Sequence, residues 1–407
     1  MDQTLTASGL NQSPGIHRLR INSIDVLRGI VMIIMAIDHT RDFFHISANL
    51  DDPLNLQTTT PLLYFTRWVT HFCAPIFVFL SGVSIYLQSL RKTKKELSSF
   101  LIKRGLWLIF IEVIIVTLGI TFNPGYHFIL LQVIWAIGIS MVLLGVLIWL
   151  PFPLILALGL IIVLGHNILD SYESVKDFKP GFIWELLHRG GFKPYGNHRV
   201  LAILYPFIPW TGLMLLGYCT GIFFTSKYSV EKRRRNLLLI GIGLISLFIV
   251  LRFLNIYGDP FPWGTKKNDL FTFLSFMKVH KYPPSLLYMC ITIGPAFILL
   301  AFIEKIKNRF TDVMSVYGRT AFFYYILHFY LLHLVAAIAF FTRGHSFQDA
   351  ISSMQNLPFL FIIPGEGYSL GVVYLVWAAV VIGLYPLCKK YDRYKNNHKE
   401  KWWLSYL

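Results

Sequence analysis

The sequence predicts an all-α polytopic membrane protein of about ten transmembrane helices, with both termini cytoplasmic. Three observations carry that prediction. Of 407 residues, 55% are hydrophobic and the mean hydropathy is +0.57, more apolar surface than a soluble domain encloses. The apolar residues come in runs of roughly twenty, the length that spans a bilayer core. Charged residues make up only 14% and gather in short segments between those runs. The net charge of +16 therefore reads as membrane orientation and not as a groove for nucleic acid.

Taken in order, residues 1–22 are a polar cytoplasmic tail with no apolar signal core, and the first span, 24–46, is not a cleaved signal peptide. The second span, 61–90, opens on Thr58-Thr59-Thr60-Pro61, a capping residue followed by proline at the first helical position. Spans three and four cover 97–121 and 127–149. Pro151-Phe152-Pro153 turns the chain into a fifth span that ends near 167. Spans six to ten cover 202–224, 236–257, 283–304, 313–341 and 368–388, with long polar loops at 169–200, 258–282 and 343–367. The spans form one transmembrane domain over 23–390, followed by a charged cytoplasmic tail over 391–407. With the N-terminus inside, 24 of the 37 lysines and arginines fall on the cytoplasmic side, which makes an even number of spans self-consistent. The four cysteines lie in or beside apolar runs without metal-site spacing and read as free thiols; no metal is expected.

Ionisable residues inside spans carry the functional signal, because burying them in lipid is costly unless they face a partner or a cavity. The first span contains Arg28 and then Asp38-His39-x-Arg41-Asp42. Arg28 and His39 are eleven residues apart, about 20° past three full helical turns, so they share a face about 16 Å apart along the axis. Arg67 and His71 share a face of the second span. Glu112, alone in the third span, needs a partner such as a histidine or arginine from a neighbour. The eighth span begins with Lys281-Tyr282-Pro283-Pro284-Ser285, and the ninth carries Tyr317, Tyr324 and His328 at helical spacing, with His333 beyond. Polar groups from spans one, two, eight and nine thus meet at one depth. Histidines beside carboxylates suit proton abstraction. Trp184, Tyr195, Trp263 and Tyr368 in the outer loops could form a wall for sugar rings. A proton-coupled transporter of a small anion or sugar would use similar residues; the lack of inverted repeats and paired broken helices argues against it.

Two segments connect this pattern to a family. Ser23-Ile24-Asp25-Val26-Leu27-Arg28-Gly29 and Pro75-Ile76-Phe77-Val78-Phe79-Leu80-Ser81-Gly82 resemble the catalytic-domain family of heparan-α-glucosaminide N-acetyltransferase. The Asp-His-x-Arg-Asp segment, Thr70 to Pro75 and Lys281 to Leu287 together resemble its prokaryotic branch. The Arg28–ten residues–His39 pattern is similar to a first-span signature of the integral-membrane acyltransferase-three family. The resemblance implies acyl transfer from cytoplasmic acyl-CoA, acetyl-CoA foremost, to a sugar or amino-sugar acceptor at the outer face of a cell membrane, the bacterial inner membrane in particular. It implies His39 as base and Arg28 on the donor side. In that scheme Asp38 or Asp42 orients His39, while His71, Tyr282 or Ser285 stabilises the oxyanion. Arg41, Arg67 and His328 complete the substrate-binding set, and a homodimer is among the expected assemblies. The chain departs from the animal enzyme of the family, whose reacting histidine lies shortly before the second span. Thr60 and Pro61 stand there, with His45 the nearest histidine and His71 where an acid is found.

Overall fold

The computed structural model describes residues 22–405 apart from 176, 197, 355 and 356; of the expected tail over 1–22, residues 1–21 lie outside the described residues. Helix accounts for 70% of the structure, as an all-α membrane protein requires. The principal helices are α1 (Asn22–Phe44), α2 (Pro61–Val69), α3 (Cys73–Ser89), α4 (Lys94–Ile111), α5 (Thr117–Thr121), α6 (Val133–Leu147) and α7 (Phe152–Gly165). They continue with α8 (Phe207–Thr220), α9 (Val230–Leu254), α10 (Leu286–Ile303), α11 (Arg309–Arg319), α12 (Ala321–Thr342) and α13 (Leu370–Asn397). Among the described residues, six continuous helical segments are long and apolar enough to cross a membrane: 61–89, 207–224, 230–254, 286–303, 321–342 and 370–397.

These segments differ in how much of them is enclosed. In the most apolar stretch of α10, 78% of residues are buried, against 22% for α9 and 17% for α13. So α10 is a central rod, while α9 and α13 turn most of their surface outward, where lipid would cover it. The centre is built by close backbone contact. A Cβ on Gly29 of α1 would stand 1.8 Å from the Met314 carbonyl oxygen, and one on Gly318 of α11 would stand 1.8 Å from that of Asp25. Only glycine at both positions lets these helices meet backbone to backbone. That contact fixes α1, and with it every polar residue α1 carries.

Several departures from the expected spans have local causes. The second span is a single rod with a tightened turn at Thr70–Phe72. Pro75 has no N–H to give the His71 carbonyl, and the Tyr288 hydroxyl of α10 donates to it instead, at 2.9 Å. The third span widens into a π turn at Glu112–Val116. The Glu112 carboxylate leaves the helix face there and accepts from the Gln132 backbone N–H at 3.0 Å, at the start of α6. Its partner is thus a backbone donor and not the expected histidine or arginine. The fourth span begins as a strand, and the ninth is broken at Thr320 into α11 and α12. Three short strands, β1 (Phe128–Leu131), β2 (Gly191–Pro194) and β3 (Val200–Ile203), form a sheet in the order β1-β3-β2, with β1 parallel and β2 antiparallel to β3.

Candidate functional site

The C-terminal end of α1 carries a chain of alternating charges. Asp38 pairs with Arg67 from α2 and with Arg41 at 3.0 Å, and Arg41 also holds Asp42 at 2.5 Å. Arg41 and Asp38 are buried, whereas the Asp42 side chain is 48% exposed. Two acids thus neutralise two bases in a site where an unpaired charge would be costly.

His39 stands apart from that chain. Its Nδ1 lies 2.7 Å from Nε2 of His328 in α12, and the Nδ1 of His328 lies 3.1 Å from the Tyr324 carbonyl. Hydrogen-bond logic then orders the protons. A carbonyl only accepts, so His328 must donate from Nδ1, and its neutral ring accepts at Nε2. His39 therefore donates from Nδ1, and its own Nε2 keeps a lone pair. Phe329 stacks on the His39 ring with centroids 4.3 Å apart and fixes its plane.

Two chambers meet beside this histidine. The larger, of about 280 Å³, lies at the Arg28 end of α1; Arg28, Arg104, Arg319 and Lys395 line it, with Met32, Phe77 and Met141 among its apolar wall. Within it Arg28 reaches Ser84 Oγ at 3.0 Å and Asp25 at 3.2 Å. The smaller, of about 30 Å³, is lined by Asp38, His39, Thr70, Cys73, Gln132, Tyr205 and Lys281, among others. Met35, Phe77, Val133 and Tyr325 line both chambers. Arg28 and His39 therefore belong to adjoining spaces that share a four-residue collar.

The remaining expected residues have other surroundings. His71 donates to the Trp68 carbonyl at 3.0 Å and does not line the small chamber. Ser285 caps α10 and donates to Asp259 at 2.8 Å. Asp259 lies 3.8 Å from the buried Arg252, which donates to the carbonyls of Phe261, Ser275, Phe276 and Lys278, so Ser285 belongs to the anchor of the segment before α10. The Tyr282 ring packs against Tyr205 and beneath Lys281. His333 stacks on Phe122 and bonds the Leu360 carbonyl, away from His39. Trp184, Tyr195 and Trp263 each spend their polar atom elsewhere, on the Glu173 carboxylate and the carbonyls of Tyr126 and Arg252 respectively. The four cysteines are free and buried.

In the loop after α7, Asp170, Glu173 and His188 bring oxygen and nitrogen atoms within 4.8 Å of one another. His188 Nδ1 lies 2.9 Å from Glu173, and Trp184 donates to the same carboxylate at 2.6 Å. Partial burial pushes the Glu173 carboxyl up, but the hydrogen bond and charge of His188 outweigh it with help from Trp184, and it titrates below the usual carboxylate range.

Sequence reasoning missed Tyr325, Gln132 and Lys281 as lining residues. Tyr325 precedes His328 by three positions on one helix face, a signal that was present; in an apolar run it reads as core. Lys281 was visible as a cation at the head of a span.

A helical membrane bundle that holds a part-buried histidine pair beside a cation-lined chamber has the equipment of a membrane-embedded enzyme. The family model described as heparan-alpha-glucosaminide N-acetyltransferase, catalytic, matches residues 20–254, more than half of the chain, and the chain belongs to that family. Its members are transmembrane acetyltransferases, so the protein is an enzyme of that type. The matched stretch runs from α1 through α9 and includes Arg28, Asp38, His39, Arg41, Asp42, Arg67 and His71. No curated protein matches the chain.

Proposed function

We propose that the protein transfers an acetyl group, or another acyl group, from acyl-CoA on the cytoplasmic side to a sugar or amino-sugar acceptor at the outer face of a bacterial inner membrane. The observation that carries this reading is the His39–His328 pair, whose proton order leaves a lone pair on Nε2 of His39, a residue that lines the chamber adjoining the Arg28 chamber. In this reading Arg28, Arg104 and Lys395 attract the phosphates of the donor. The pantetheine arm follows the apolar wall of the larger chamber and brings the thioester to the collar. His39 Nε2 takes a proton from the acceptor hydroxyl or amine. The acceptor heteroatom bonds to the carbonyl carbon, the C–S bond breaks, and the proton passes to the departing sulfur. His328 holds the base in its working tautomer, a role first assigned to Asp38 or Asp42. The carboxylates instead balance Arg41 and Arg67 and set the field around the pair.

The test is acetyl transfer from labelled acetyl-CoA to glucosamine by purified protein in liposomes. The His39→Ala variant is expected to lose transfer by about 10²–10⁴-fold while desulfo-CoA still raises its melting temperature. Transfer by His39→Ala at the wild-type rate would overturn the assignment. Flux of glucosamine across the liposome without any CoA would point to transport instead.

A further inference from the structure

We infer that Tyr325 supplies the hydrogen bond that holds the thioester carbonyl oxygen as negative charge develops on it. This inference rests on the acyl-transfer reading above. A thioester that arrives through the Arg28 chamber and reacts beside His39 must sit where the chambers meet. Four residues line both: Met35, Phe77, Val133 and Tyr325. The Tyr325 hydroxyl is the one O–H or N–H donor among those four side chains. It is buried and makes no hydrogen bond among the described residues. A buried donor without a partner is uncommon and needs a reason. Elsewhere in the molecule Tyr64 and Tyr288 spend their buried hydroxyls on backbone carbonyls; Tyr324 shares the unpartnered state of Tyr325 but lines neither chamber.

Tyr325 is also well placed relative to the base. Its ring meets that of His39 edge-on with centroids 6.3 Å apart, and lies 5.6 Å from that of His328. Phe329 packs edge-on against it at 5.2 Å. The phenol is thus held in the wall that separates donor from base. A donor fixed in a dry site before the reaction costs nothing to reorient when charge appears, which is how oxyanion groups act. Tyr325 keeps its proton throughout. His39 moves the acceptor proton, the new bond forms at the carbonyl carbon, and the electron pair of the broken C–S bond leaves on sulfur. Other buried hydroxyls without partners, such as Tyr391, line neither chamber and have no such duty.

The test compares wild type, Tyr325→Phe and Tyr391→Phe in the liposome assay, with desulfo-CoA thermal shift as a separate reading of donor binding. Tyr325→Phe removes one oxygen and keeps the ring in the collar. It is expected to lower kcat by about 10²–10³-fold while KM for acetyl-CoA and the desulfo-CoA shift stay within about twofold of wild type. Tyr391→Phe is expected to keep wild-type kcat. A Tyr325→Phe kcat within about threefold of wild type, or a loss confined to KM and CoA binding, would overturn the inference while the acyl-transfer reading stands. So would an equal loss in Tyr391→Phe. A wild-type protein that neither transfers acetyl from acetyl-CoA nor responds to desulfo-CoA would defeat both.

Discussion

The two ends of α1 treat charge in opposite ways. At the His39 end, Arg41 and Arg67 are consumed by Asp38 and Asp42, and Arg41 is sealed from solvent. At the Arg28 end, Arg28 shares its guanidinium between Asp25, Ser84 and a backbone carbonyl, stays 20% exposed, and faces a chamber lined by further cations. Similar residue types thus do different work. The network at the His39 end pairs two acids with two bases. The group at the Arg28 end borders a larger chamber, and two of its cations, Arg28 and Arg319, also have acidic partners in Asp25 and Asp392. In the proposed reaction an anionic ligand is recognised at the Arg28 end and proton transfer takes place at the His39 end.

The sharpest way to break this comparison is to cut each end in turn. Arg41→Met leaves the buried Asp38 carboxylate with one fewer partner, and should lower stability by about 3–5 kcal/mol, read as a fall in the denaturant midpoint or melting temperature. Arg28→Gln should leave the melting temperature within a few degrees, yet raise KM for acetyl-CoA by about tenfold, the loss of about 1.4 kcal/mol of ionic hydrogen bonding. If the two variants behaved alike, the division of labour between the ends would be wrong.

A smaller effect lies in the loop after α7. The folded Glu173 carboxyl titrates below its unfolded value. Its contribution to loop order is therefore present above the unfolded carboxylate range and lost as pH falls through the folded value. Hydrogen exchange of residues 168–190 should accelerate on acidification in the wild type, and Glu173→Gln should flatten that dependence.

Much of this division is legible in the sequence, for physical reasons. Apolar runs of membrane length report burial in lipid directly, so the helical class and the approximate spans follow. Arg28, Asp38, His39, Arg41 and Arg67 stand out because charge in such runs is costly. What the sequence leaves hidden depends on contacts between distant elements. The strands are four residues each and borrow their partners from other loops. The break at Thr320 follows the Gly29–Gly318 contact, which no local pattern announces. His328 was picked out as a polar residue, but its bond to His39 spans 289 positions. Glu112 needed a partner, and a π turn together with the α6 start supplied one. Ser285 looked like a donor near the site, yet Asp259 had already claimed it.

The most direct measurement is the tautomer of His39, read by ¹⁵N magnetic resonance of histidine-labelled protein in lipid, with His39→Gln to assign the signal. The structure predicts a neutral ring protonated at Nδ1, bare at Nε2, and released from that form in His328→Phe. A His39 protonated at Nε2, or one indifferent to the loss of His328, would contradict the account.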